Sequence, residues 1–299
     1  MLGFRDDRRE RHRWGKQQLT VAEYRTPGQR VTRIWKYSLR RVLFPICVLA
    51  PIAYFFPIFA LLYALCGLYD VCRNRPVTVE TLRRYFIGNG VGTWLLSPIN
   101  IVLDLLSLPY VNKGVYRLSD LPPDYQNEVQ SLIDAAKQAD LVTKLADRAK
   151  DNRRTMFFFR WYGVDMTTSL DVPEFHRPWK YIQTIGVSVF NRRESTSKHF
   201  GYLRASLRML YNLNEVKDRS AYIVVGGTTS YWCDEKLFIF DDTLLHLSAN
   251  DTEQPRYCLF VDIIRPTLFP RMMAAVITVV RYLTKSFKVI YYKNWKVVE

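Results

Sequence analysis

Apolar residues fill the chain from Val42 to Tyr69 without a single charge, a run of 28 residues. A helix that crosses a bilayer needs about 20 such residues, so the run predicts a membrane span at 42–69. The alternative for this run is a helix buried in a protein core. A second apolar stretch, 92–109, contains Asp104. It predicts a second crossing, a re-entrant segment or a helix lying in the membrane interface.

The pattern differs in the rest of the chain. Apolar positions at helical spacing over 119–151 predict an outer helix, with Pro122 near its first turn. Beyond it, short apolar runs between turn signals predict β-strands. These strands are Phe157–Tyr162, Tyr181–Phe190, Ser206–Leu213, Ala221–Val225, Lys236–Phe240 and Arg256–Ile263. Many short strands without long intervening helices favour a mainly β domain, a sandwich or jelly roll.

Charge is concentrated at the two ends of this chain of 299 residues, whose formal net charge is +15. Residues 1–41 carry twelve Lys or Arg against four Asp or Glu, and residues 271–299 carry six against one. Both basic ends adjoin apolar segments, which favours a membrane surface over nucleic acid as the partner. The five cysteines are odd in number and form no CxxC, which indicates free thiols in a reducing compartment.

These patterns divide the chain into four predicted regions. They are a basic cytoplasmic tail (1–41), a membrane-anchoring region (42–112), a catalytic domain (113–270) and a basic amphipathic C-terminal segment (271–299). The basic residues that flank the apolar run place the tail in the cytoplasm by the positive-inside rule. The free thiols favour a catalytic domain on the cytoplasmic side of the inner membrane. The C-terminal segment is either an interfacial helix with its tail or a helix packed on the catalytic domain.

Candidate chemistry lies between Ser188 and Asp262. In order, the chain reads Ser188, His199-Phe-Gly201, Ser206-Leu-Arg208-Met-Leu-Tyr-Asn-Leu, Phe240-Asp-Asp-Thr-Leu-Leu-His246 and Arg256. Two histidines on separate strands, followed by an arginine, have the layout of an iron site that also binds a 2-oxo acid. Taken together, these motifs resemble the aspartyl/asparaginyl β-hydroxylase family of Fe(II)/2-oxoglutarate dioxygenases, which includes bacterial lipid A hydroxylases.

The resemblance implies a fold and a set of residue roles. The fold is a double-stranded β-helix, a cupin-like jelly roll, with flanking helices after an N-terminal membrane segment. The implied roles are iron ligation by His199 and His246, binding of the distal carboxylate of 2-oxoglutarate by Ser188 and Arg256, contact with an anionic group by Arg208, and orientation of His246 or a bound water by Asp241 or Asp242.

The chain departs from the family pattern at two positions. Leu210 stands where many members have a histidine that helps to hold the co-substrate, and Asn212, two residues on, is the predicted partial substitute. Gly201 stands where most 2-oxoglutarate oxygenases have the carboxylate that completes the iron triad. A missing carboxylate is also a feature of iron halogenases, in which chloride takes the vacant position.

The sequence therefore predicts a membrane-anchored dioxygenase that uses Fe(II), 2-oxoglutarate and O2 to hydroxylate an unactivated C–H bond. Apolar and basic segments beside the domain favour the acyl chain of a membrane lipid, such as a lipid A, as the substrate. Two alternatives stay open. One is hydroxylation of aspartyl or asparaginyl residues of a protein, and the other is a degenerate barrel that serves as a membrane scaffold or binding module.

Overall fold

The structure, a computed structural model, describes residues 50–51, 53–111, 114–168, 170, 172–284 and 295–298. The predicted tail 1–41 and residues 42–49 of the predicted span lie outside this part of the chain. The chain divides into two compact units, Met1–Leu61 and Leu62–Glu299. All the site residues discussed below belong to the second unit.

The helices are α1 (Pro57–Val71), α2 (Val79–Phe86), α3 (Val91–Leu95), α4 (Ser97–Leu106), α5 (Pro123–Gln138), α6 (Leu141–Ala149) and α7 (Pro270–Thr284). Short 3₁₀ helices cover Leu118–Asp120 and Pro173–Phe175. The strands are β1 (Val115–Tyr116), β2 (Arg154–Trp161), β3 (Val164–Asp165), β4 (Ile182–Phe190), β5 (Glu194–Ser195), β6 (Ser206–Asn212), β7 (Ala221–Val225), β8 (Thr228–Tyr231), β9 (Leu237–Phe240), β10 (His246–Asn250), β11 (Arg256–Ile264) and β12 (Lys296–Val298).

Within the described residues the strands form two sheets. The larger has eight strands in the order β1-β9-β6-β11-β4-β2-β12, with β3 beside β2, and the smaller has the order β5-β10-β7-β8. From β4 to β11 the chain alternates between the sheets, except for the hairpin of β7 and β8. The order β9-β6-β11-β4 against β5-β10-β7-β8 is that of a jelly roll, so the predicted double-stranded β-helix core is present.

The core lies on both sides of the larger sheet, because β4 and β11 are buried along their whole length. Alternate side chains of a strand point to opposite faces. One face, with Ile185 and Val187 among its residues, packs against Leu132 of α5 and Leu145 of α6. The other face packs against the smaller sheet. The larger sheet is therefore covered by helices on one side, and its other side is free to form a cavity with the smaller sheet.

The helix predicted over 119–151 consists of two helices. Asp140 has φ 46°, in the left-handed region, and lies between the end of α5 at Gln138 and the start of α6 at Leu141. Asparagine and aspartate adopt this conformation more readily than other non-glycine residues. The break turns the chain so that both Leu132 and Leu145 reach the same core.

The predicted membrane segments can be compared with the lengths of the helices among the described residues. In the part of the chain that the structure describes, no helix has the length and the apolar character needed to cross a membrane. Of the predicted span 42–69, residues 42–49 and 52 lie outside the described residues, and α1, with 15 residues, extends beyond it to Val71. The stretch 92–109 is divided between α3, with five residues, and α4, with ten. A crossing takes about 20 residues, so α4 has half the required length.

Candidate active site

His199 and His246 lie side by side as a bridged pair in the wall of one cavity. The backbone N–H of each residue donates to the carbonyl oxygen of the other, both at 2.9 Å. This short antiparallel bridge brings the two imidazole rings to a centroid distance of 4.2 Å. The bridge forms because β10 begins at His246 while the chain before β6 runs alongside it. Two histidines 47 residues apart in sequence thus reach one point.

Each imidazole is held by a backbone carbonyl. Nδ1 of His199 lies 2.7 Å from the carbonyl oxygen of Ser197, and Nδ1 of His246 lies 2.8 Å from that of Leu244. A carbonyl only accepts, so Nδ1 carries the proton and Nε2 keeps its lone pair. Burial lowers the pKa of both imidazoles. The pKa of His246 falls well below its usual value, because the neighbouring His199 lowers it further. Both rings are therefore neutral at physiological pH, as metal ligands must be.

Arg256 is a buried cation in the wall of the same cavity. Its Nη2 donates to Ser248 Oγ at 2.8 Å and its Nη1 to the carbonyl of Ala249 at 3.2 Å. The guanidinium lies against the rings of Phe190 and Trp232, at 4.6 and 5.0 Å. Burial lowers its pKa to about 10, so it remains charged at neutral pH. Among the described residues it has no acidic partner, and Nε makes no hydrogen bond.

Ser188 lies on β4, the neighbour of the strand that carries Arg256, opposite Cys258, and it lines the same cavity. Its hydroxyl donates weakly to the carbonyl of Cys258, at 3.3 Å. A carboxylate ligand could therefore replace the Cys258 carbonyl as the acceptor of this hydroxyl at little cost in free energy. The structure brings Ser188, Arg256, His199 and His246 to the wall of one cavity of about 350 Å³.

Gly201 and Asp242 lie in contact. A Cβ atom at residue 201 would come within 2.5 Å of the Asp242 carboxylate, because the backbone N–H of Gly201 donates to the Asp242 carbonyl at 2.7 Å. The space that a side chain at 201 would fill is thus taken by another carboxylate. Burial raises the pKa of Asp242 to about 7, opposed by Arg208 and assisted by the neighbouring Asp262 and Asp241.

Arg208 lines the cavity but is held by protein groups. Its Nε donates to Asp262 at 2.7 Å and its Nη2 to Asp242 at 3.2 Å, and its guanidinium stacks on Phe260 at 3.9 Å. The predicted contact between Arg208 and an anionic ligand therefore competes with two carboxylates.

Asn212 is the predicted site residue that the structure does not bring to the cavity wall, although Leu210, on the same face of β6, does line it. The Asn212 amide donates to the carbonyl of Asn214 at 2.6 Å, outside the wall. Asp241 also points away from the cavity. Its carboxylate accepts hydrogen bonds from Arg73 Nη2 at 2.7 Å and from the Thr243 hydroxyl at 2.6 Å.

Asp241 belongs to a buried ion cluster that joins the helices before residue 107 to the jelly roll. The cluster consists of Asp70, Arg73, Asp104, Arg204, Asp241 and Arg265. Burial alone would raise the pKa of Asp241, but Arg73, Arg265 and Arg204 hold it well below its usual range. Three arginines and three aspartates balance in formal charge, which a buried cluster requires.

The same helices hold both histidine-bearing segments by polar contacts to the backbone. Thr93 donates to the carbonyl of Gly201 at 2.7 Å, and Asn100 to that of Tyr202 at 3.1 Å. Asn74 accepts the N–H of Leu245 at 2.7 Å. Sequence reasoning missed these groups because none stands beside a motif in the chain. It also missed Ser248, which alternation from His246 along β10 could have indicated.

The residues fit a ferrous ion with two imidazole donors. In the described part of the chain, no three His, Cys, Asp or Glu side chains converge as a metal-binding group. The donor set is thus the pair His199 and His246, with both Nε2 lone pairs free. Imidazole is a suitable donor for iron, and two ligands leave open positions for a chelating co-substrate.

Comparison with known proteins gives matches of sequence and of fold. Residues 124–266 match the family described as Aspartyl/Asparaginyl beta-hydroxylase. A curated relative, Ornithine lipid ester-linked acyl 2-hydroxylase of Rhizobium tropici, is 28% identical over 139 residues, 44% of this chain and 48% of the relative. The match thus spans about half the length of that relative.

Solved structures similar to this chain include a dioxygenase and a cupin protein. One is a salicylate 1,2-dioxygenase from Pseudaminobacter salicylatoxidans, with 14% identity, 49% of this chain and 35% of that chain covered, and a TM-score of 0.28. The other is an RmlC-like cupin protein from Desulfovibrio desulfuricans, with 13% identity, 39% and 87% covered, and a TM-score of 0.26. The assignment of the jelly roll rests on the strand order given above.

Proposed function

Because this chain belongs to the aspartyl/asparaginyl β-hydroxylase family through residues 124–266, we propose that it is a membrane-associated oxygenase dependent on Fe(II), 2-oxoglutarate and O2. Its proposed reaction is hydroxylation of a C–H bond in the acyl chain of a membrane lipid. The observation that carries the proposal is a pair of neutral imidazoles, His246 buried and His199 partly exposed, in one cavity with Arg256, a buried cation without an acidic partner among the described residues.

His199 and His246 would hold the iron through Nε2. When bound, iron supplies the oxygen activation that introduces a hydroxyl group into an unactivated C–H bond. The protein contributes ligand orientation, because Nδ1 of each ring donates to a backbone carbonyl and fixes the tautomer. The bridge between the two backbones fixes the distance between the rings.

Arg256 would bind the distal carboxylate of 2-oxoglutarate, with the Ser188 hydroxyl as a second donor. A guanidinium buried against Phe190 and Trp232 carries an uncompensated charge, and a carboxylate would offset the cost of that burial. Ser248 and the carbonyl of Ala249 hold the guanidinium in place while its Nε is left for a ligand.

The position of Asp242 favours hydroxylation over halogenation. The volume that Gly201 would leave vacant for chloride is filled by the Asp242 carboxylate. A carboxylate and a chloride ion in one small space would repel each other. Asp242, paired with Arg208, instead provides a polar group beside the iron site that can exchange a proton near neutral pH.

A lipid substrate is favoured over a protein side chain by three observations. The matched relative is named as an acyl hydroxylase of ornithine lipid. In addition, Arg208 is already paired with Asp242 and Asp262, so that it is poorly placed to receive the carboxylate of an aspartyl residue. The wall of the cavity also carries apolar side chains, among them Met156, Leu210 and Ile223.

The enzyme class is tested by anaerobic titration of the detergent-purified protein with Fe(II) and 2-oxoglutarate, with the weak visible charge-transfer band of the iron chelate as the readout. We expect His199→Ala to abolish the band and Arg256→Ala to require far more 2-oxoglutarate. His176→Ala is the matched control, because His176 is half-exposed, pairs with Asp165 and is not part of the cavity wall. A wild-type protein without the band would favour the scaffold alternative.

The substrate class is tested separately. The iron-loaded protein is incubated with 2-oxoglutarate and O2 and with either ornithine lipid in mixed micelles or a peptide that contains aspartate and asparagine, and mass spectrometry detects the gain of one oxygen atom in the substrate. We expect oxygen in the lipid acyl chain. Oxygen in the peptide alone would move the proposal to a protein substrate and leave the enzyme class intact.

A further inference from the structure

The outward face of α7 is apolar and exposed. Met272, Val279, Tyr282 and Leu283 each expose half of their surface or more. The opposite face is buried, with Met273 and Ile277 in a small apolar cluster. The helix is thus apolar nearly all round, a pattern typical of a helix that is covered by protein or by lipid.

A second exposed stripe lies on the neighbouring helix α4 and continues two residues past its end. Ile99, Val102, Leu105 and Leu108 recur every third residue and are about half-exposed. The two helices are adjacent, since Leu103 shares the apolar cluster of Met273 and Ile277 and the Thr267 hydroxyl donates to the carbonyl of Leu106. We call these two stripes together the outer apolar face.

The inner side of α7 borders the active-site cavity. Ile277 and Val280 line that cavity together with Tyr202 and Leu203, which follow the Gly201 position. Val279 points outward and Val280, the next residue, lines the cavity. One helix therefore separates the outer apolar face from the space that contains the histidines.

Charge around the outer apolar face has one sign. Over 97–110 and 266–284 the only acidic residue is Asp104, which is buried in the ion cluster. Arg271 is exposed, and Arg281 stacks on Tyr282 at 5.1 Å. Apolar residues accompanied by arginine, without exposed acid, complement an anionic lipid surface rather than a soluble protein partner.

We propose that the outer apolar face docks on a lipid bilayer and that the substrate acyl chain reaches the iron site from the bilayer alongside α7, past Val280 and Tyr202. The inference rests on the proposed function and adds the surface and the route to it. An acyl chain that left the membrane through water would expose each methylene to solvent. A path along α7 keeps the chain in apolar contact from the membrane to the cavity.

Docking is tested on the wild-type full chain, reconstituted in vesicles of phosphatidylcholine and phosphatidylglycerol that include a phosphatidylcholine with a diazirine in its acyl chain. After irradiation, mass spectrometry locates the labelled peptides. We expect labels in 99–108 and 272–283 and none around Val164, an exposed residue on β3. Labels absent from both stripes would overturn the proposal, and burial of the stripes in a dimer would assign this face to a second copy.

The route is tested by Val280→Trp with Val164→Trp as the matched control. The larger ring would narrow the path, so we expect turnover of long-chain lipid to fall about tenfold or more, as blocked substrate positioning does. The control should match wild type. Equal lipid turnover in the two variants would contradict the route. The iron chelate band is measured in both variants and in the wild type. If the proposed route is wrong but the enzyme class is right, all three proteins show the band. If the enzyme class is wrong, the wild type also lacks it.

Discussion

At the scale of single residues, some positions of the site were predicted from sequence motifs, and the roles of others are seen only from their contacts in the structure. His199, His246, Ser188 and Arg256 were predicted from their motifs, and all four line one cavity. Asp241 and Asp242 are neighbours in the chain, yet one enters an ion cluster and the other faces Gly201. The sequence could not separate them, because the backbone turn between β9 and His246 decides which carboxylate points inward.

The contact between Gly201 and Asp242 leads to a prediction for Gly201→Asp. A second carboxylate there would overlap the first, and overpacking of this kind costs about 1–3 kcal/mol. We expect binding of Fe(II) and 2-oxoglutarate to weaken about tenfold or more, since about 1.4 kcal/mol is a factor of ten. The measurement is the chelate titration.

The matched double variant is Gly201→Asp with Asp242→Ala, which removes the overlap and should restore much of the binding. If Gly201→Asp alone bound iron as well as wild type, the Asp242 carboxylate would not occupy the space proposed for it.

At the scale of elements, the helices α1 to α4 are part of the site although the family match begins at residue 124. They hold the backbone of Gly201, Tyr202 and Leu245 by hydrogen bonds and the arginines of the jelly roll by ion pairs. For 92–109 the sequence predicted a second membrane crossing, a re-entrant segment or a helix in the membrane interface. It could not predict that Asp104 pairs with Arg204 and Arg265, because these partners lie 100 residues or more away.

Asp104→Asn tests how much the buried ion cluster stabilises the fold. The substitution would leave Arg204 and Arg265 buried without a balancing charge, and breaking a buried pair costs about 3–5 kcal/mol. We expect a loss of that order in the free energy of unfolding, measured by denaturant titration. Asp134→Asn is the control, because Asp134 pairs with Lys137 at the surface, where both side chains are half-exposed. It should change stability by about 0.5 kcal/mol or less. Equal effects would mean that the cluster contributes little.

At the scale of the whole molecule, the proposed ligands couple to stability. Iron and 2-oxoglutarate would bind between the two sheets of the folded jelly roll and not to the unfolded chain. At a concentration about 100 times the dissociation constant, such a ligand adds about 2.7 kcal/mol to the free energy of unfolding. We therefore expect a higher melting temperature with both ligands, measured anaerobically in detergent by the loss of near-UV circular dichroism.

The comparison that isolates the site is His246→Ala, whose melting temperature should not respond to the ligands. His176→Ala should respond as wild type does. A ligand response that survives in His246→Ala would place the binding site elsewhere.

The sequence by itself determined most strands of the jelly roll and marked the residues that we propose for the chemistry. Short apolar runs between turn signals predicted β7 at its observed bounds and β4, β6 and β11 to within one residue at either end. These signals are local, because the period of a strand and the spacing within a motif are properties of consecutive residues.

The tertiary structure decided what depends on distant residues meeting. Asp140 divides the helix predicted over 119–151, and the short strands β5 and β8 form through pairing with β10 and β7. The contact of Asp242 with Gly201, the ion cluster and the cavity wall along α7 likewise join segments far apart in the chain. No periodicity encodes such contacts, since they arise only when the two sheets and the helices pack.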